Sequence, residues 1–154
     1  MKVKMILPAL TEATSPFFRP IKYSLFPPLG LATLAAYLDP GDEIDLQDEH
    51  VERLDTRDTP DVVVIQVYIT SANRAYRLAH EYRRRGAHVA LGGLHVTSLP
   101  EEAAAHADTI FLGPGEDTWP QFLADFRKGR PGRVYQSRTR TLAGLPPIRR
   151  DLIK

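Results

Sequence analysis

Three stretches of this chain carry residues whose types and spacing could shape a ligand site: Asp61 to Ser71 (DVVVIQVYITS), His88 to Glu102 (HVALGGLHVTSLPEE) and Asp108 to Trp119 (DTIFLGPGEDTW). Each reads as an apolar strand that ends in small or polar residues. Gly92-Gly93 closes one strand and Gly113-Pro114-Gly115-Glu116 the next. Without Cβ atoms, a ligand can approach the backbone closely. Strand ends that shed their side chains on the same side of a sheet leave a groove for a flat or elongated ligand. Either glycine pair alone could equally make a tight strand-to-helix turn; two pairs at neighbouring strand ends make a slot. The periodicity predicts a helix opening near Glu116, with its first amides facing that slot. Glu116 and Asp117 then either complement the helix dipole or touch the ligand.

Acid–base and metal chemistry find less support. His50, His80, His88 and His106 are scattered without ligand spacing and read as surface or structural residues. His95 stands apart, because it follows Gly92-Gly93 with Thr97 and Ser98 nearby, and there it either serves the ligand or orders the loop. No Ser/His/Asp order and no GxxxxGK[ST] string occurs. A phosphorylatable receiver would place acidic residues after the first strand and an Asp at the end of the third, where this chain has Leu7-Pro8 and Gln66. A dinucleotide fold would need GxGxxG after the first strand, yet no glycine lies between Met1 and Pro28. Thr11, Thr14 and Ser15 hint at a flavodoxin-like mononucleotide binder, again without an accompanying glycine. With no cysteine, the chain offers no disulfide, thiolate or cysteine-held metal cluster.

The elements that must position these residues follow from periodicity. Lys2 to Pro8 reads as a buried strand, followed by a loop from Ala9 to Pro28 rich in proline and aromatics, long enough to be functional or disordered. Leu29 to Leu38 is a nearly all-apolar helix ended by Pro40-Gly41. Glu43 to Asp48 alternates as a half-exposed strand near an edge, and Asp61 to Tyr68 is the β-branched run of a central parallel strand. Thr70 or Ser71 caps a helix on Ala72, Ala75, Tyr76, Ala79 and Tyr82, stopped by Gly86. His88 to Leu91 and Thr109 to Leu112 are further strands, with a short helix from Pro100 between them. A helix from Glu116 to Lys128 carries Trp119, Phe122, Leu123 and Phe126 on one stripe, and Arg133 to Gln136 adds an edge strand.

This order predicts a doubly wound α/β domain, Rossmann-like or flavodoxin-like, with a mostly parallel sheet of five or six strands in the order 2-1-3-4-5. Its 154 residues suit one domain that buries roughly 70% of its unfolded surface. Residues 137–154 differ: Arg138, Arg140, Arg149, Arg150 and Lys154 against Asp151, with a Leu145-Pro146-Pro147 break, read as a solvated linker. A net charge of +1 gives no field to gather nucleic acid. No apolar run spans a bilayer and no leader precedes the first strand, so the expected location is cytoplasmic.

Taken together, PPLGLATLAAYL, the strand leading into ITSANRAYRLA, GGLHVTSLPEE and LGPGEDTW resemble the N-terminal cobalamin-binding domain of cobalamin-dependent radical SAM enzymes. The likeness runs from Lys2 to Lys154. It implies a corrinoid lying across the carboxyl ends of the strands with its nucleotide tail in the slot. Gln66, Tyr68, Thr70 and Ser71 would line that slot from the third strand, Gly92, Gly93, His95 and Thr97 from the fourth, and Gly113, Gly115 and Glu116 from the fifth. Pro27, Pro28, Leu29 and Gly30 would sit beside the corrin. The chain departs from methionine-synthase-like relatives in two motifs. No Asp-x-His-x-x-Gly string follows the first strand, and their Ser-x-Leu is here Gln66-Val67-Tyr68. The resemblance therefore implies cobalamin held with its tail displaced and no histidine on cobalt. It also implies that residues 1–136 form the binding domain and 137–154 a linker toward a radical SAM domain absent from this chain. That domain would carry the cysteine triplet, the 4Fe-4S cluster and S-adenosylmethionine, in a parent methyltransferase or cyclase. The alternative is the same fold without cobalamin, serving docking or substrate recognition.

Overall fold

A computed structural model describes residues 1–10, 27–139, 141 and 143–154. The chain runs β1 (Lys2–Leu7), α1 (Leu29–Ala35), β2 (Glu43–Asp48), β3 (Val62–Gln66), a 3-10 turn (Ile69–Ser71), α2 (Ala72–Arg84), β4 (His88–Gly92), α3 (Leu94–Ser98), α4 (Pro100–His106), β5 (Thr109–Leu112), α5 (Trp119–Arg127), β6 (Val134–Gln136) and a last 3-10 turn (Arg150–Leu152). The strands form one sheet in the order β2-β1-β3-β4-β5-β6, with every neighbouring pair parallel. This is the doubly wound fold expected from the sequence, and its order reverses between β1 and β3.

Alternation along the strands divides the core in two. Ile6, Val63, Ile65, Val89, Leu91 and Ile110 face α2, α3 and α4. Val3, Met5, Val64, Ala90 and Phe111 face α1 and α5, where Leu31, Trp119, Phe122 and Leu123 complete the layer. Both faces of the central strands are thus covered, which is why β3 could be recognised from an unbroken apolar run. Lys4 is the exception, 1% exposed on β1. Its ammonium is satisfied by Asp45 at 3.0 Å, Asp58 at 2.8 Å and the Asp55 carbonyl at 2.7 Å.

Three boundaries differ from the sequence reading. The α-helix at Leu29 stops at Ala35, and Ala36, Tyr37 and Leu38 continue as tighter turns bonded three residues back. The segment between β4 and the Pro100 helix is itself a helix, α3, too short to show a period. The helix expected from Glu116 opens only at Trp119, because residues 113–118 make a loop in which the Trp119 amide donates to the Gly115 carbonyl at 2.7 Å. Ser71 does precede α2, but its hydroxyl bonds back to the Tyr68 carbonyl and not to a helix amide. Gly86 ends α2 with φ +89°, as its position predicts.

Residues after β6 return to the domain. Ile148, Leu152 and Ile153 pack against the α1 side of the core, and the Arg149 amide donates to the Ala32 carbonyl at 3.2 Å.

Candidate functional site

Parallel packing places the carboxyl ends of β3, β4 and β5 at one edge, with Gln66 in register with Gly92. Above the α1-side core layer this leaves a slot of about 190 Å³ between the strand ends, α1 and the loop after β5. Seven residues singled out from the sequence line it together: Gly30, Gln66, Gly92, Gly93, Gly113, Gly115 and Glu116. Leu31, Leu34, Val64, Ile65, Phe111 and Pro114 complete the walls, and the sequence reading did not assign them to the site. A helical signal was present, since Leu34 lies four residues after Gly30 and so shares its face. A strand signal was also present, since Val64 and Phe111 each stand two residues before a slot residue and point to the same side.

The glycines fall into two kinds. A Cβ on Gly92 would meet only the Phe111 Cβ, at 3.4 Å, and one on Gly115 only Leu34, at 3.6 Å; both spare space that opens into the slot. Gly93 has φ +112°, and a Cβ there would come within 2.8 Å of the Val67 carbonyl oxygen. Gly113 has φ +79°, and a Cβ there would strike the Ser137 carbonyl oxygen. Backbone geometry alone dictates glycine at these two positions.

α3 clasps the two glycine turns together. Thr97 Oγ1 donates to the Gly93 carbonyl at 3.1 Å and accepts from the Gly113 amide at 3.0 Å. His95 is turned the other way: it is 6% exposed, with Nε2 3.0 Å from the Tyr76 hydroxyl and 3.2 Å from Glu102 Oε1. Tyr76 donates to Glu102 at 2.9 Å and stacks on His106 with centroids 4.0 Å apart. Burial, then the hydrogen bond to Glu102 and that group's charge, drives the Tyr76 hydroxyl above the ordinary tyrosine range; the bonds from Tyr76 and His95 hold Glu102 below the ordinary glutamate range. The cluster therefore pins α3 to α2 and α4, away from the slot wall.

The other expected residues are not among those that line the slot. Tyr68 is 39% exposed, and its hydroxyl accepts from Gln66 Nε2 at 2.8 Å. Thr70 is exposed in the 3-10 turn and Ser71 is buried beneath it. Pro28 is buried and Leu29 exposed at the start of α1. Thr11, Thr14 and Ser15 lie outside the described residues. No helix among the described residues is long and apolar enough to cross a membrane.

The family model for the B12 binding domain matches residues 23–123, which include every lining residue of the slot. The chain belongs to the B12-binding domain family. Among curated proteins it is 37% identical over 79% of its length to a bacteriochlorophyllide d C-8(2)-methyltransferase of Chlorobaculum tepidum. It is 32% identical over 84% of its length to an uncharacterized methyltransferase of Synechocystis sp.. These relatives are much longer, the chain covering 26% of the first and 25% of the second. A solved structure, the N-terminal domain of a hypothetical protein from Thermotoga maritima, matches 80% of this chain and 98% of its own at 18% identity and a TM-score of 0.48, too loose to add to the family match.

Proposed function

We propose that this domain binds cobalamin across the carboxyl ends of its sheet and serves as the corrinoid-holding module of a methyltransferase or cyclase of the radical SAM class. The observation that carries the reading is the slot itself. Its apolar walls and the missing Cβ atoms at Gly92 and Gly115 suit a flat ring with few polar atoms. Its volume exceeds that of the roughly 150 Å³ apolar cavity that admits benzene.

In this reading Gln66, Gly92, Gly93, Gly113, Gly115 and Glu116 hold the tail, Thr97 fixes the spacing of the glycine turns, and Pro28, Leu29 and Gly30 stand beside the corrin. Tyr68, Thr70 and Ser71 form the rim, and His95 acts by anchoring α3. When bound, the corrinoid supplies a cobalt that carries a methyl group or accepts electrons, the protein providing orientation. The tail is displaced and no histidine takes its place: residues 9–28 contain none, and the His95 imidazole is engaged by Tyr76 and Glu102. Residues 1–136 are the binding domain, and 137–154, after packing back on its α1 side, lead toward a further domain that holds S-adenosylmethionine and an iron–sulfur cluster.

Mixing the purified protein with hydroxocobalamin and removing free ligand tests this directly. The expected result is a retained corrinoid with the absorption spectrum of the tail-displaced form. A colourless protein overturns the reading in favour of a noncatalytic docking domain. A tail-coordinated spectrum keeps cobalamin but rejects the displaced tail.

A further inference from the structure

The slot is smaller than the base of a cobalamin tail. A cavity of roughly 150 Å³ admits benzene, and dimethylbenzimidazole, a methylated fused bicycle, has roughly twice that bulk and needs about 300 Å³ on the same scale. The slot offers about 190 Å³. Even with ribose and phosphate left outside, a wall must give for the base to enter. Most of the slot is pinned. β3, β4 and β5 are each paired on both sides within the sheet. The Gly113 turn is held by Thr97 Oγ1 and by Ser137, whose amide donates to the Leu112 carbonyl at 2.9 Å.

The remaining wall is α1, which supplies Gly30, Leu31 and Leu34. It has seven residues, no charged side chain and no side-chain cap. Its Leu34 carbonyl accepts from Trp119 Nε1 at 3.0 Å and its Ala32 carbonyl from the Arg149 amide at 3.2 Å. The second of these bonds comes from the segment after β6, which runs as a strap. It starts at Ser137, whose hydroxyl donates to Asp117 at 2.7 Å, and lays Ile148 and Leu152 on the α1 side of the core. It ends with Lys154 Nζ 2.6 Å from Glu52 Oε2, just past β2. The strap thus passes α1 between the β6 and β2 flanks of the sheet.

We propose that α1 and this strap form a clamp on the slot: α1 moves outward to admit the tail base, and the strap, tied at Ser137 and at Glu52, then holds α1 against it. This deepens the cobalamin reading above and rests on it. In the empty protein the strap favours the closed slot, and association scales with the fraction of molecules that are open. In the loaded protein the same contacts resist release. A weakened strap therefore speeds both entry and exit of a ligand that fills the slot, and changes neither for one that leaves it empty.

Stopped-flow absorbance tests this by comparing hydroxocobalamin with cobinamide, a corrinoid without a base, on the native protein and on Leu152→Ala. Hydroxocobalamin should associate and dissociate at least about threefold faster with Leu152→Ala, while both cobinamide rates stay within about twofold. Glu52→Gln frees the end of the strap at the surface; it should shift the hydroxocobalamin rates the same way by a smaller factor, and it carries the test if Leu152→Ala folds poorly. Hydroxocobalamin rates that fail to rise together, equal acceleration of cobinamide, or native binding of cobinamide alone overturns the clamp and leaves corrinoid binding standing. Failure of the native protein to bind either corrinoid overturns the cobalamin reading and the clamp with it.

Discussion

At Gly93 and Gly92, adjacent positions with the same residue, the structure imposes different demands. Gly93→Ala forces a Cβ against the Val67 carbonyl at a left-handed φ, and should cost about 2–4 kcal/mol in a urea melt. Gly92→Ala meets only Phe111 and should cost about 1 kcal/mol or less, while weakening corrinoid retention. Equal stability losses at the two positions would refute the division between turn and slot. The sequence showed that both glycines stand at a strand end; φ and the approach of Val67 distinguish them. His88 gives a second residue-level expectation. Burial holds its imidazole below the ordinary value of 6.5, opposed by Asp108, with Nε2 2.9 Å from Thr109 Oγ1. The unfolded chain therefore takes up this proton more readily, and stability contributed by neutral His88 is present above pH 6.5 and lost as the pH falls toward the lowered folded value. Thermal melts of His88→Gln should be flatter than those of the native protein across that window.

Among the elements, α3 decides how the slot is built. It has five residues and no period to announce it, yet its Thr97 hydroxyl ties the β4 and β5 turns together. Thr97→Val keeps the shape and removes both bonds. It should lower stability by about 1 kcal/mol and weaken corrinoid binding, with Thr97→Ser restoring both. Unchanged binding by Thr97→Val would show that the turns keep their spacing without the clasp. His95 was singled out because it follows the glycine pair, and sequence left open whether it served a ligand or ordered the loop. Its direction depends on Tyr76 and Glu102, which come from α2 and α4 and lie 19 residues before and 7 after it. α5 braces the opposite wall, where Trp119 Nε1 donates to the Leu34 carbonyl at 3.0 Å.

Across the whole molecule, the segment after β6 closes the α1 side. Ser137 donates its amide to Leu112 and its hydroxyl to Asp117, fixing the loop that carries Gly113 and Gly115, and Leu152 packs against the core beyond α1. Removing residues 145–154 should therefore expose apolar surface, lower the melting temperature by several degrees, consistent with roughly 1–2 kcal/mol, and weaken corrinoid retention. A shortened chain with an unchanged melting curve would return this segment to the role of a solvated tether. Its arginines and prolines suggested such a tether, since its few apolar residues give no periodic signal. Sequence by itself determined the parallel α/β plan, the central place of β3, and the gathering of glycine pairs at one sheet edge, because strand burial and chain order are local patterns with few compatible topologies. Only the tertiary structure decided that Leu34, Val64 and Phe111 wall the slot, that His95 faces away, and that Thr97 clasps the two glycine turns. These depend on side-chain direction and on neighbours distant in the chain, which no local spacing encodes.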